Sequence, residues 1–169
     1  AAHHAERVQS LAVLSRPHPT AFVRAMKEDA AQAERSRHHR GFREADALKR
    51  MRDANLKPLR AALETQGVPA ADAEIYISAL SAPGAIEAAM NWYRAGTLAP
   101  DEVPAITVST LYVWGTADAT VGKYAAELTK DYIRAPYRFA TVDGAGHFVV
   151  DQFPERTTQL LLEHLRACG

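Results

Sequence analysis

Thr110-Leu-Tyr-Val-Trp-Gly-Thr-Ala-Asp118 and, further on, Gly144-Ala-Gly-His147-Phe148 decide how this chain is read. Each segment looks like the end of a short buried strand that runs into a loop carrying one side chain suited to catalysis. Thr110–Trp114 is an almost unbroken apolar run, and Arg138–Val142, ahead of the histidine, is another. Such runs fit parallel strands covered on both faces. The helix expected between them, Val121–Tyr132, is long enough for the crossover that parallel neighbours require. Catalytic groups of open parallel sheets gather at the carboxyl ends of strands, where both Asp118 and His147 fall. An aspartate in that place also suits a turn or a helix cap, and a histidine after two glycines could be satisfied within its own turn. Taken as a pair, they read as the acid and base of a nucleophile–histidine–acid machine. In such a machine an imidazole takes a proton near neutral pH, and a carboxylate on its other nitrogen fixes its orientation. Phe148, Val149 and Val150 would form an apolar floor beneath the ring.

Working outward, Val8–Leu14 has the β-branched and aliphatic mix of a short strand, closed by Pro17 and Pro19. Ala21 to about Gly96 then reads as helical almost throughout. Leu48, Met51, Leu56, Leu59, Ala62 and Leu63 recur close to one helical face, and Pro58 is expected to divide that run into two helices. Gly67-Val-Pro69 ends the second. Further helices are expected over Ala70–Leu80 and Gly84–Arg94, and Ala99–Pro104 reads as a linker. Pro154 suits the first turn of a last helix with Leu160, Leu161, Leu162 and Leu165 as its buried stripe. The order is α/β: three parallel strands with an all-helical block inserted after the first. The division expected is 1–19 for the first strand and turn, 20–99 for a helical cap, and 100–169 for the core with the acid and histidine loops. A sheet of three strands leaves Val8–Leu14 with an open apolar edge.

Bulk properties exclude some functions. Lys plus Arg number 20 and Asp plus Glu number 20, so no net field favours nucleic acid or an anionic membrane. Arg35-Ser-Arg-His-His-Arg40 is basic but lacks interleaved aromatics, and reads as a solvated helix face. No apolar run approaches the ~18 residues needed to cross a bilayer. A single cysteine, Cys168, forms no internal pair, and no signal-peptide layout opens the chain, so the expected location is cytoplasmic. The first residue is Ala1, and the opening Ala-Ala-His-His-Ala-Glu-Arg-Val resembles the tail of a helix under way. The expectation is a piece of a longer protein.

The acid-then-histidine order, each after its own strand, is similar to that of α/β-hydrolases. The chain resembles the C-terminal part of such an enzyme, of the epoxide hydrolase branch. Leu11-Ala-Val-Leu-Ser-Arg-Pro-His-Pro19 is similar to the strand and turn after the nucleophile helix, and Thr110–Asp118 and Gly144–Phe148 match the acid and histidine motifs. Asn91-Trp-Tyr-Arg94 resembles a cap-helix motif whose tyrosine, here Tyr93, donates a hydrogen bond to the epoxide oxygen. A phenol with a pKa about 10 stays protonated at neutral pH and can do so. The resemblance implies a small apolar substrate such as an epoxide, and no cofactor or metal. It also implies two departures. Where the family carries a second cap tyrosine, this chain has His38-His39, making His38 a candidate donor, with surface histidine the plainer reading. The nucleophile is absent: no Gly-x-Ser-x-Gly, Gly-x-Asp-x-Gly or His-Gly oxyanion segment occurs. The isolated chain is therefore expected to be inactive, and its expected partner is the missing N-terminal half or a second copy, pairing through the open strand edge. An esterase or dehalogenase of the same fold is the alternative.

Overall fold

The computed structural model describes residues 1–95 and 103–169, which form two compact units, Ala1–Arg35 with Leu98–Gly169, and Ser36–Thr97. The linker expected at Ala99–Pro104 lies mostly outside the described residues.

The first unit is built on a three-stranded, fully parallel sheet: β1 (Ser10–Leu14), β2 (Ser109–Gly115) and β3 (Tyr137–Val142), in that spatial order. β1 is two residues shorter than the sequence suggests, because Val8 and Gln9 precede the first paired position, Ser10 opposite Ser109. β2 lies in the centre, and its alternate residues supply two separate cores. Tyr112 and Trp114 face α1 (Pro19–Glu28) and α8 (Lys123–Leu128), packing on Ala21, Phe22, Ala25, Ala125, Ala126 and Leu128. Leu111 and Val113 face the other way, onto Ala140, Val142, Val149 and Leu160 of α10 (Pro154–Cys168). Burial on both faces explains why β2 reads as a continuous apolar run rather than an alternating one. Each side chain of this size, fully buried, stabilises the unit by roughly 1.5–3 kcal/mol.

Three further readings change on folding. Residues 20–35, counted with the helical insertion in the sequence, belong to the sheet unit: Ala21, Phe22 and Ala25 of α1 fill the same core as Tyr112, and α2 (Ala30–Arg35) follows directly. The crossover helix is α8 for six residues only, and then tightens into a 3-10 turn over Thr129–Tyr132. In α10 the buried face is Thr157, Leu160 and His164, while Leu162 and Leu165 are 44% and 57% exposed. The run of leucines is contiguous in sequence, but a helix turns consecutive residues about 100° apart, so only one of them can face the sheet squarely.

The second unit holds α3 (His38–Gly41), α4 (Ala47–Asp53), α5 (Lys57–Thr65), α6 (Ala70–Leu80) and α7 (Ala85–Arg94) around Ala47, Leu56, Leu63, Val68, Ala73, Ile77, Ile86 and Met90. The break between α4 and α5 is made by Asn55 and Leu56, both left-handed at φ 48° and 56°. The run is divided into two helices at Pro58 as expected, with Pro58 in the first turn of α5, where its missing N–H is not needed. Among the described residues, no helix is long and apolar enough to cross a membrane.

At the start of α1, His18 is a buried cap. Its Nδ1 accepts from the Thr20 N–H at 3.2 Å, its ring stacks on Tyr132 at 4.8 Å, and burial pushes its pKa below the ordinary 6.5. Protonation would remove the cap acceptor and place a charge in the core. A pKa depressed in the folded state gives stability that is complete above the unfolded pKa and is lost as pH falls through the lower folded value. His18→Asn keeps a cap acceptor and does not titrate. Chemical denaturation from pH 7.5 down to pH 5 is expected to show a steeper loss of stability for the wild type than for His18→Asn. Parallel curves for the two would refute this role.

Candidate active site

Asp118 and His147 come together as the sequence predicts. His147 Nδ1 lies 2.9 Å from Asp118 Oδ2, with the Asp118 side chain fully buried and that of His147 26% exposed. A carboxylate can only accept, so the proton of this bond sits on Nδ1 and Nε2 is left as the acceptor of the ring. The second carboxylate oxygen is also used: Oδ1 accepts from the Thr120 and Val121 N–H groups at 2.7 and 2.8 Å. One oxygen holds its own turn, and the other holds the histidine.

The two loops are fastened to each other rather than merely adjacent. Thr116 N–H donates to the Val142 carbonyl at 3.1 Å and Ala117 N–H to the Ala145 carbonyl at 2.9 Å, extending the β2–β3 ladder past the strands. Thr116 Oγ1 donates to Asp143 Oδ1 at 3.0 Å and accepts from Gly144 N–H at 2.9 Å. Gly146 N–H donates to the side-chain oxygen of Gln152, in the short helix α9 (Val149–Gln152) that follows the histidine. Val149 is buried, as a floor residue should be, whereas Val150 is 48% exposed; the ring of Phe148 meets His147 edge-on at 5.7 Å.

Two glycines matter here, for different reasons. Gly144 has φ +72°, the left-handed conformation that turns the chain off β3. Gly115 is required by space: a Cβ there would lie 2.3 Å from the Ala145 carbonyl oxygen and 2.6 Å from that of Gly146. The acid and histidine loops can approach only because β2 ends in a residue without a side chain. The sequence shows Gly115 inside its motif, but nothing local marks it as a contact with residues 30 positions away.

Two further residues escaped the sequence reading. Gln32 is fully buried, with Oε1 accepting from Gly122 N–H at 2.8 Å and Nε2 donating to the Thr120 carbonyl at 2.9 Å. Arg35 Nη1 donates to the Asp118 carbonyl at 3.0 Å. Both sit on α2, in what reads by composition as a polar helix, and no short-range pattern ties them to Asp118.

The other candidates, Tyr93 and His38, lie in the helical unit. Tyr93 is packed between aromatic rings: Phe42 at 4.8 Å, His39 at 5.4 Å and Trp92 at 5.0 Å, with its carbonyl accepting from Arg43 Nε at 2.7 Å. The imidazole whose ring meets Tyr93 is that of His39, while His38 lies against His39 and Phe42. Trp92 is 65% exposed.

No family model matches the chain. Human epoxide hydrolase 4 is 28% identical over 172 residues, covering 95% of this chain and 48% of the relative. Epoxide hydrolase A of Mycobacterium tuberculosis is 35% identical over 81 residues, 45% of this chain and 25% of that protein. An epoxide hydrolase from Bacillus megaterium, solved with an inhibitor, matches with a TM-score of 0.84 at 20% identity over 98% of this chain and 63% of that one. The chain spans about half the length of the curated relatives it matches. Its three parallel strands and their helices are part of an α/β-hydrolase fold. The sequence relatives that match it nearly end to end include epoxide hydrolases of mouse, human and Xenopus tropicalis, at 26–28% identity.

The close approach at Gly115 gives a sharp test. Gly115→Ala must displace backbone and is expected to lower unfolding free energy by more than about 2 kcal/mol. Gly144→Ala meets no atom within 4 Å and bears only the left-handed penalty of about 1 kcal/mol. Equal losses in urea titrations of the two variants would show that the loops are not packed in this way.

Proposed function

We propose that this chain forms the cap and the acid–histidine part of an enzyme that hydrolyses epoxides. The observation that carries the reading is the buried Asp118 Oδ2 held 2.9 Å from His147 Nδ1 at the carboxyl end of a parallel sheet. Relatedness to epoxide hydrolases over 95% of the chain supports the choice among hydrolases.

In this proposal a carboxylate nucleophile, supplied by residues outside this sequence, attacks a ring carbon of the epoxide. The C–O bond breaks, an ester forms with the enzyme, and Tyr93 donates a hydrogen bond to the oxygen that leaves. His147, held in the Nδ1–H form by Asp118, then takes a proton from water through Nε2. The hydroxide so formed attacks the ester carbonyl and the acyl C–O bond breaks; its remaining proton and the one held on His147 pass to the two oxygens of the diol, restoring the carboxylate and the neutral imidazole. His38 is the second donor in this proposal, and His39, whose ring meets Tyr93 edge-on at 5.4 Å, lies against it. The substrate would be a small apolar epoxide. The outer edge of β1 pairs with no strand among the described residues, and we assign that edge to a further strand of the complete fold, with a second copy of this chain as the alternative.

The test uses the complete protein on styrene oxide. His147→Ala is expected to permit alkylation but stop turnover, so that mass spectrometry finds one substrate equivalent bound covalently. Tyr93→Phe is expected to lower kcat/KM by about 10²-fold, the usual loss of one donor to a developing oxyanion. Hydrolysis of p-nitrophenyl esters with no epoxide turnover, unaffected by Tyr93→Phe, would favour an esterase and refute the proposal.

A further inference from the structure

Gln32 is fully buried in the six-residue helix α2, where an amide costs free energy unless both of its ends are bonded. Both ends are bonded, and both to one loop: Gly122 N–H at 2.8 Å and the Thr120 carbonyl at 2.9 Å. One turn further along, Arg35 Nη1 donates to the Asp118 carbonyl at 3.0 Å. The residues so gripped are those that define the acid. Thr120 and Val121 hold Asp118 Oδ1 through their N–H groups, and Asp118 Oδ2 meets His147. The carboxylate is locked to its own turn; Ala117 N–H on the Ala145 carbonyl ties that turn at its start and Trp114 Nε1–H on the Val121 carbonyl near its end, and α2 supplies the remaining grip that keeps Oδ2 on Nδ1. Asp118 N–H donates to the Gly115 carbonyl at 3.1 Å, inside the same turn.

Resting on the acid–histidine reading above, we propose that Gln32 and Arg35 are positioning residues that aim Asp118 at His147 by clamping residues 118–122 onto α2 at both ends of the turn. Arg35 holds the acid's own peptide, and Gln32 holds the two peptides that complete its turn. The arrangement suits a base whose geometry matters to within about 0.5 Å, since misplacement by 1 Å can cost 10²-fold in rate. An isolated helix of six residues is marginal, so the three bonds order α2 and the loop together. Its last residue, Arg35, immediately precedes Ser36, where the helical unit begins. The clamp is thus made by the stretch through which the chain leaves the sheet unit.

The test reads the tautomer of His147 by NMR of the full chain with 15N-labelled histidine, at a pH above 8 where an unperturbed imidazole is neutral. The resonance is assigned by its loss in His147→Ala. Wild type is expected to hold the Nδ1–H form, and Asp118→Asn to switch it, because an amide can donate to Nδ1. Gln32→Met, similar in size but without hydrogen bonds, is expected to lower the Nδ1–H population at least about twofold, and Arg35→Met to lower it less. Arg35 is exposed, so Arg35→Met carries the test if Gln32→Met does not fold. Leu128→Ala, which removes a buried side chain of α8 and none of the loop's hydrogen bonds, is expected to lower stability and leave the tautomer as in wild type. Wild-type tautomer in both clamp variants, or an equal change in Leu128→Ala, overturns the clamp and leaves the acid–histidine reading standing. An unchanged tautomer in Asp118→Asn overturns that reading, and the clamp with it.

Discussion

The carboxylate of Asp118 is the constraint on which this structure turns. Its two oxygens face different partners, one its own backbone turn and one an imidazole 29 positions away in sequence. A buried carboxylate is costly unless its lone pairs are occupied, and here three donors share them in a side chain with no solvent exposure. The surrounding elements can be understood as what is needed to keep those donors in place. β2 and β3 deliver the two loops side by side, and Thr116 ties them together. Gly115 lets them touch.

The central strand makes this geometry rigid. Tyr112 and Trp114 belong to one core, Leu111 and Val113 to another, so β2 is gripped from both faces and its carboxyl end has little freedom to shift. The histidine loop has a comparable anchor in Val149, buried against Leu160 of α10. Close packing of this kind has few low-energy alternatives, which is the condition for holding an acid and a base to hydrogen-bond precision. The same packing explains why α1 and α2 belong with the sheet. Phe22 and Gln32 are buried against it or its loops, whereas the residues from Ser36 onward bury their apolar faces among themselves.

Much of this was legible in the sequence, and the reasons are local. An unbroken apolar run bounded by glycine and aspartate reads as a two-sided strand, and glycine before histidine reads as an abrupt turn. Ala70–Leu80 was bounded correctly because Pro69 marks its start and the Ala82-Pro-Gly84 turn its end. The readings that changed share a cause. Leu162 and Leu165 are apolar but face away from the sheet, and residues 20–35 are helical but pack with it, because a local pattern marks an element and not the surface that element meets.

The order of residues by itself determined the strand–helix–strand–helix succession, the parallel pairing it demands, and the identity of the acid and the histidine, because each rests on spacing within a few residues. Only the folded chain decided what holds that pair in register: the space that Gly115 leaves for the backbone of Ala145 and the grip of Gln32 and Arg35 on residues 118–122. These are contacts between segments up to 90 residues apart, and no local pattern encodes them because their cost and gain appear only when both surfaces are buried together.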